Sequence, residues 1–214
     1  METKIFEGSV GGIDLKFRDL IKSGTPSCVF TELQRDDYGL EQVELSSDDV
    51  ILDIGANIGM FSIYAKKKFG CKVVSFEPVP INFENFKHNI ELNGLSVNDF
   101  ELHNIAISSK EGEVIKIGTP DYNTGGSSIF HTCDIISECS TETLHKYIKE
   151  ACVYLKIDTE GAEYDIIPSI ITDLNKFKYI GIEYHTFKSE HSPANLHNLI
   201  KSNFKGRIFG EPSK

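Results

Sequence analysis

The sequence predicts a doubly wound α/β fold, a mostly parallel sheet held between two helical layers. Three observations carry this expectation. Compact apolar runs at 50–54, 72–76, 100–103, 152–157 and 179–182 have the length and continuous hydrophobicity of strands buried on both faces. Helix-patterned stretches separate most of them, as crossover connections between parallel strands require. The first run ends in Asp53-Ile-Gly55-Ala-Asn57-Ile-Gly59, a glycine turn between strand and helix that lets backbone approach a ligand closely.

The remaining elements follow in order. Ile5-Phe6 and Ile13-Asp-Leu-Lys-Phe17 flank Gly11-Gly12, a pattern that predicts a β-hairpin. Residues 18–47 are mixed and polar, so 1–47 reads as an N-terminal hairpin and lid-like extension ahead of a ligand-binding domain over 48–214. Helices are expected over 58–69 and 81–92, the second stopped by Asn93-Gly94. Glu113–Ile117 reads as a strand, and the Gly- and Ser-rich segment Asp121–Ser128 as a mobile lid. Thr141 is expected to cap a helix running to Glu150, and a further helix over 162–174 is expected to bend near Pro168. A helix over 193–202 and a short strand over 205–209 complete the reading.

The 214 residues amount to one full domain. With 32 acidic against 22 basic side chains and a formal charge of −10, the surface repels phosphate backbones, so general nucleic-acid binding is not expected. Cysteines at 28, 71, 133, 139 and 152 form no Cys-x-x-Cys pair. Neither a disulfide framework nor a structural zinc site is therefore indicated, and a reduced, cytoplasmic setting fits best. The opening Met1-Glu-Thr-Lys-Ile-Phe-Glu7 lacks the basic-then-apolar plan of a signal peptide, and no apolar run reaches the ~20 residues that span a bilayer. A soluble protein without a membrane span is expected.

Doubly wound sheets bind ligands beyond the carboxyl ends of their strands. A nicotinamide-binding turn there normally reads Gly-x-Gly-x-x-Gly, whereas this chain has Gly55-x-x-x-Gly59 preceded by Asp53. A carboxylate beside the turn disfavours a diphosphate and suits a ligand carrying an ammonium and a sulfonium, such as S-adenosylmethionine. Glu77 closes the second strand 22 residues after Gly55, where an acid can accept both ribose hydroxyls. The plainer readings are a tight strand-to-helix connection for the glycines and a solvated strand end for Glu77.

Three segments together carry a family likeness. Val50-Ile-Leu-Asp-Ile-Gly-Ala-Asn-Ile-Gly59, Phe76-Glu-Pro78 and Leu155-Lys-Ile-Asp-Thr-Glu-Gly-Ala-Glu163, in this order and spacing, resemble the FkbM family of S-adenosylmethionine-dependent methyltransferases over about residues 30–185. The resemblance implies the class I methyltransferase fold, a Rossmann-like three-layer sandwich with seven strands that ends in an antiparallel hairpin. That hairpin is expected to be shortened here, since only Lys205–Phe209 reads as a strand. An edge left exposed would invite pairing with a second copy, a homodimer. The resemblance further implies S-adenosylmethionine as cofactor and methyl transfer to a hydroxyl of a small molecule or glycan sugar. Carried over by position, it assigns Asp53, Gly55, Ala56, Asn57 and Gly59 to the methionine side of the donor. Glu77 with Pro78 falls to the ribose, Asn104 and Ala106 to the adenine, and Asp158 to the donor amine and incoming acceptor.

Asp158 and Glu160 should project at the same rim as Glu183 and His185 from Glu183-Tyr184-His185. Methyl transfer needs positioning above all, and an alcohol must also lose its proton. Asp158 is the positioning candidate, with Glu160 and His185 as candidate bases. Helix capping equally explains Glu160 and Glu163, and a structural hydrogen bond equally explains His185. Asp158, Glu160, Glu183 and His185 also make an oxygen-rich set suited to magnesium or manganese, but without a compact ligand motif no metal is assigned. Two other functions stay open, a donor-binding protein without transfer and a nicotinamide oxidoreductase. Amino-methylation of bases is disfavoured, because Asp158-Thr-Glu-Gly161 replaces the Asn/Asp-Pro-Pro-aromatic run those enzymes carry.

Overall fold

The computed structural model describes residues 1–130, 133 and 135–212. Thr3–Val10 (β1) and Ile13–Leu20 (β2) form an antiparallel hairpin, and Thr25–Arg35 (α1) leads on to the sheet. The main sheet is built from Val50–Ile54 (β3), Lys72–Phe76 (β4) and Phe100–His103 (β5), linked by helices Met60–Phe69 (α2) and Pro80–Leu92 (α3). An insertion follows, Ala106–Ile107 (β6), Val114–Thr119 (β7) and Ile135–Glu142 (β8), which pair as a separate three-stranded sheet in the order β6-β8-β7. Cys152–Ile157 (β9), Glu163–Ser169 (α4), Tyr179–Ile182 (β10), Pro193–Asn203 (α5) and Arg207–Phe209 (β11) complete the domain.

The six strands of the main sheet run in the order β11-β10-β9-β3-β4-β5, and every pairing is parallel. Parallel strands need both faces covered, and two apolar clusters cover them. One holds Ile51 and Tyr154 against Phe61, Tyr64 and Phe86 of α2 and α3. The other holds Leu52, Ile54, Leu155 and Ile157 against Ile166, Ile167, Leu196 and Ile200 of α4 and α5. The doubly wound sandwich is thus the one expected. Its closing hairpin is not seen among the described residues: β11 is three residues long and pairs parallel with β10. Gly39 lies so close to Phe209 that an added Cβ would overlap its ring, and the Arg207 guanidinium donates to Gln42. The segment around 39–42 therefore packs on this end of the sheet.

The N-terminal hairpin is part of the same core. Leu15 and Phe17 are buried with Leu33 and Phe61, and Asn89 of α3 and Asn93 at its C-terminal cap reach β2, each bonding both N–H and C=O of one strand residue, Arg18 or Lys16. These amides satisfy an edge that would otherwise be open to pairing. Phe17→Ala should cost about 3–5 kcal/mol and, because hairpin and sandwich share a core, should shift a single cooperative denaturation curve. Two separate transitions would contradict this.

Three local expectations need correction. Residues 18–47 contain α1, whose signal is Gly24-Thr-Pro26, a proline in the first helical turn. Thr141 does not cap a helix, because it lies in β8, whose residues 135–140 pair antiparallel with β7 and whose Thr141 and Glu142 pair parallel with β6, and only a short 3₁₀ turn, Leu144–Tyr147, follows. The alternation of Ile135, Ser137, Cys139 and Thr141 toward the protein is a period-2 strand signal. Finally, the helix expected over 162–174 stops at Ser169, one residue after Pro168.

Candidate active site

The first residue past each central strand faces one ridge. The ladder hydrogen bonds continue one step beyond the strands, from Gly55 N to Phe76 O, Glu77 N to His103 O, Asp158 N to Ile54 O and Glu183 N to Ile157 O. Gly55, Glu77, Asp158 and Glu183 are thereby aligned at the carboxyl edge, and all four line a cavity of about 620 Å³. Gly55 has φ +82, and an added Cβ would overlap the Asp158 carbonyl oxygen. Only glycine allows β3 and β9 to end so close together.

Glu77 is 4% exposed. Its Oε2 accepts the Asn57 N–H at 2.7 Å, and its Oε1 accepts the Val79 N–H at 2.9 Å and, at the longer distance of 3.5 Å, Asn82 Nδ2, which fixes the carboxylate and leaves Oε2 a further lone pair. Burial pushes its pKa up to about 7. Asn57 and Asn82 beside it each donate Nδ2 to the Thr124 carbonyl, at 2.9 and 3.1 Å, while their Oδ1 atoms are buried without a hydrogen-bond partner. Both residues line the cavity. The segment read as a mobile lid is pinned here: Thr124 is fully buried and its hydroxyl donates to Asp19 of β2 at 2.7 Å.

At the other side lies an acidic group, with Asp158 two strand spacings from Glu77 and Glu183 three, roughly 10 and 14 Å. The Tyr38 hydroxyl donates to Asp158 Oδ2 at 3.1 Å and Glu183 Oε2 at 3.3 Å. Burial works against the Asp158 charge, but Lys156 and His185 override it and hold the carboxyl below its ordinary value. The Asp158 charge, with burial, lifts Glu183 to about 7, and burial lifts Glu160 to about 8. His185 sits behind. Glu163, fully buried, accepts from the His185 backbone N–H at 2.7 Å and lies 3.1 Å from Nδ1. Burial opposes the imidazolium, yet Glu163 together with Asp158 and Glu160 raises His185 to about 10.

The sequence candidates therefore divide. Gly55, Asn57, Glu77, Pro78, Ala106, Asp158 and Glu160 line the cavity; Asp53, Ala56, Gly59, Asn104 and His185 do not. Asp53 is fully buried beneath the turn, taking Ser62 Oγ at 2.6 Å and Lys156 Nζ at 3.3 Å, so its charge is spent inside the protein rather than on a ligand. Gly59 leaves room for the Phe86 ring, and Asn104 donates to the Glu77 and Pro78 carbonyls, holding the strand end. His185, which burial alone would lower but which Glu163, Asp158 and Glu160 raise to about 10, is a charge partner for the acids. Asp158, Glu183 and His185 can bring one ligand atom each within 4.8 Å of one another, a set that a divalent cation could take by displacing the imidazole proton. Tyr38, Glu32 and Asn82 complete the site. Glu32 and Asn82, which line the cavity, carry no local sequence signal, since the sides of their helices that face the site depend on tertiary packing.

Residues 53–205 match the family described as the Methyltransferase FkbM domain. The chain belongs to the FkbM methyltransferase family. This FkbM-family chain is 26% identical over 146 residues to Methyltransferase 1 of Beauveria bassiana (strain ARSEF 2860), covering 56% of this chain and 57% of that one. It is 37% identical over 71 residues to the 31-O-demethyl-FK506 methyltransferase FkbM of Streptomyces tacrolimicus, covering 32% and 27% respectively. The chain thus matches little more than half of the first relative's length and about a quarter of the second's. Among solved structures, a SAM-dependent methyltransferase from Agrobacterium tumefaciens aligns over 96% of this chain and 60% of its own, with 12% identity and a TM-score of 0.49. The fold of this family member is a doubly wound α/β sandwich with six parallel strands in its main sheet. Among the described residues no helix is long and apolar enough to cross a membrane.

Proposed function

We propose that this chain transfers a methyl group from S-adenosylmethionine to a hydroxyl of a small molecule or glycan sugar. The observation that carries the reading is one cavity holding an anchored, buried Glu77 on one side and an ionised Asp158 beside Glu183 on the other. The residues present fit the donor. Glu77 Oε2 has a lone pair left for one ribose hydroxyl and Oε1 can take the second in place of its long Asn82 contact, the unpartnered Asn57 and Asn82 Oδ1 atoms offer further acceptors, and Asp158 offers an anion to the donor ammonium.

When bound, S-adenosylmethionine supplies an electrophilic methyl carbon on a sulfonium. The chain's own part is to orient and to take a proton. Tyr38 holds Asp158 and Glu183 on one hydroxyl. Asp158 stays charged because Lys156 faces it at 3.3 Å. Glu183, poised near neutrality, accepts the acceptor's hydroxyl proton as the new bond forms, the kind of matched pKa that general base catalysis favours. A cytoplasmic setting and a small-molecule or glycan acceptor belong to this same proposal.

Calorimetric titration with S-adenosylmethionine and with NAD, followed by a labelled-methyl screen over hydroxylated acceptors, tests it. Binding of the methyl donor alone, with label appearing as an alkali-stable ether, is expected. Preferential NAD binding would replace the reading with an oxidoreductase, and donor binding with no transfer to any acceptor would favour a binding protein.

A further inference from the structure

Lys156 is the buried cation that the proposed chemistry leaves unused. It is 3% exposed, it does not line the cavity, and it stands in register with Asp53 on β3 and Gly181 on β10, the centre of the sheet. Its ammonium makes three polar contacts, to the Gly55 carbonyl at 2.8 Å, to Asp53 Oδ1 at 3.3 Å and to Asp158 Oδ2 at 3.3 Å. The Tyr38 and Phe61 rings close over it with centroids at 5.6 and 5.8 Å. Tyr38 is in turn held by Tyr154, whose hydroxyl donates to the Tyr38 carbonyl.

Two of those contacts reach groups that do face the cavity. Gly55 opens the glycine turn, and Asp158 heads the acidic side. A lysine that only neutralised Asp53 would not need either of them. Its three donors are instead divided among a buried anchor and the two strand ends that meet the ligand. Around Gly55 the backbone has little slack, since the Asp158 carbonyl fills the space a side chain would take, and the ammonium adds a side-chain tie to the backbone bond from Asp158 N to Ile54 O.

We propose that Lys156 is a positioning residue, tying the glycine turn of β3 to Asp158 of β9 so that the donor meets both at a fixed separation. The proposal rests on the donor-binding reading above, and its test separates the two. Lys156→Met alone strands Asp53 and Asp158 in the interior and is expected to destabilise the fold. The informative variant is therefore the double substitution Asp53→Asn/Lys156→Met, which removes the buried pair while Asn keeps an acceptor for Ser62. Lys156→Arg keeps the charge.

The readouts are thermal melting, S-adenosylmethionine affinity by calorimetry, and the ¹³C shift of the Gly55 carbonyl in the ligand-free protein. The double variant is expected to melt well above Lys156→Met, since only the part-exposed Asp158 then lacks its cation, to bind the donor about tenfold more weakly as one charge-assisted contact's worth of order is lost, and to show a shifted Gly55 carbonyl. Lys156→Arg should recover most of both. A double variant that binds the donor within threefold of wild type would overturn the proposal, leaving the lysine a partner for Asp53 only. So would an unmoved Gly55 carbonyl, or failure of both the double variant and Lys156→Arg to fold. If wild-type protein does not bind S-adenosylmethionine, the donor reading falls, and the carbonyl shift still decides whether the tie exists.

Discussion

Glu77→Gln is expected to weaken S-adenosylmethionine binding by about a hundredfold, the loss of two hydrogen bonds to a charged acceptor at roughly 1.5 kcal/mol each. The amide cannot replace the carboxylate. One of its two heads is a donor, and it would face the Asn57 or Val79 N–H that Glu77 now accepts. The pH dependence sharpens the prediction. Because burial lifts Glu77 to about 7, the free protein is partly protonated at neutral pH, while a donor with two ribose hydroxyls needs the ionised form. Donor affinity should therefore rise about tenfold per pH unit below roughly 7 and level off above it. The Gln variant should lose that slope. Stability runs the other way: with the folded pKa above the ordinary carboxyl value, the folded state holds more protons than the unfolded one between about 4.5 and 7. This group's contribution to stability thus falls as pH rises through that window and is constant above it. Calorimetry at several pH values checks the affinity. A slope unchanged in the variant would remove Glu77 from the donor pocket.

The same residue shows how far the sequence could be read. Glu77 and Gly55 were visible because their place is local: each follows directly on an apolar strand, and the side chain or missing side chain can act only at the ridge. Asp53 shared that signal and behaves differently. Strand alternation sends it to the face opposite its neighbours Leu52 and Ile54, into the α2 layer, where Ser62 and Lys156 claim it. The presence of an acid next to a glycine turn does not reveal which face it takes, and the charge argument drawn from Asp53 has to be carried by Asp158 instead. His185 was legible as a rim residue but not as a cation, since Glu163, which sets its protonation, lies 22 positions away in a different element. Within the insertion the strand expected over 113–117 is present as β7, but its partner β8 went unread for a different reason. The strand over 135–142 alternates Ile, Ser, Cys and Thr inward, and so few large apolar residues leave a weak period-2 signal beside the helix cap that Thr141 imitates.

Glu183→Gln is expected to lower methyl transfer by 10²- to 10⁴-fold, the usual range for loss of a general base, while leaving donor affinity nearly unchanged. The charge pattern singles out this residue. Asp158 is held ionised by Lys156 and is a poor base for that reason; His185 is already protonated at neutral pH; Glu160, lifted to about 8 by burial, is mostly neutral at pH 7. Glu183, raised to about 7 first by the Asp158 charge and then by burial, is the carboxylate that can both be free to accept a proton and be basic enough to hold one. The rate should accordingly climb about tenfold per pH unit up to roughly 7 and then flatten, as the base loses its own proton. Two variants separate the roles. Glu183→Gln should abolish the acid limb, whereas Asp158→Asn should lower the Glu183 pKa by removing the neighbouring charge and so move that limb to lower pH. An acid limb that persists unchanged in Glu183→Gln would show that another group takes the proton, and Glu160, on the same cavity wall, would be next in line.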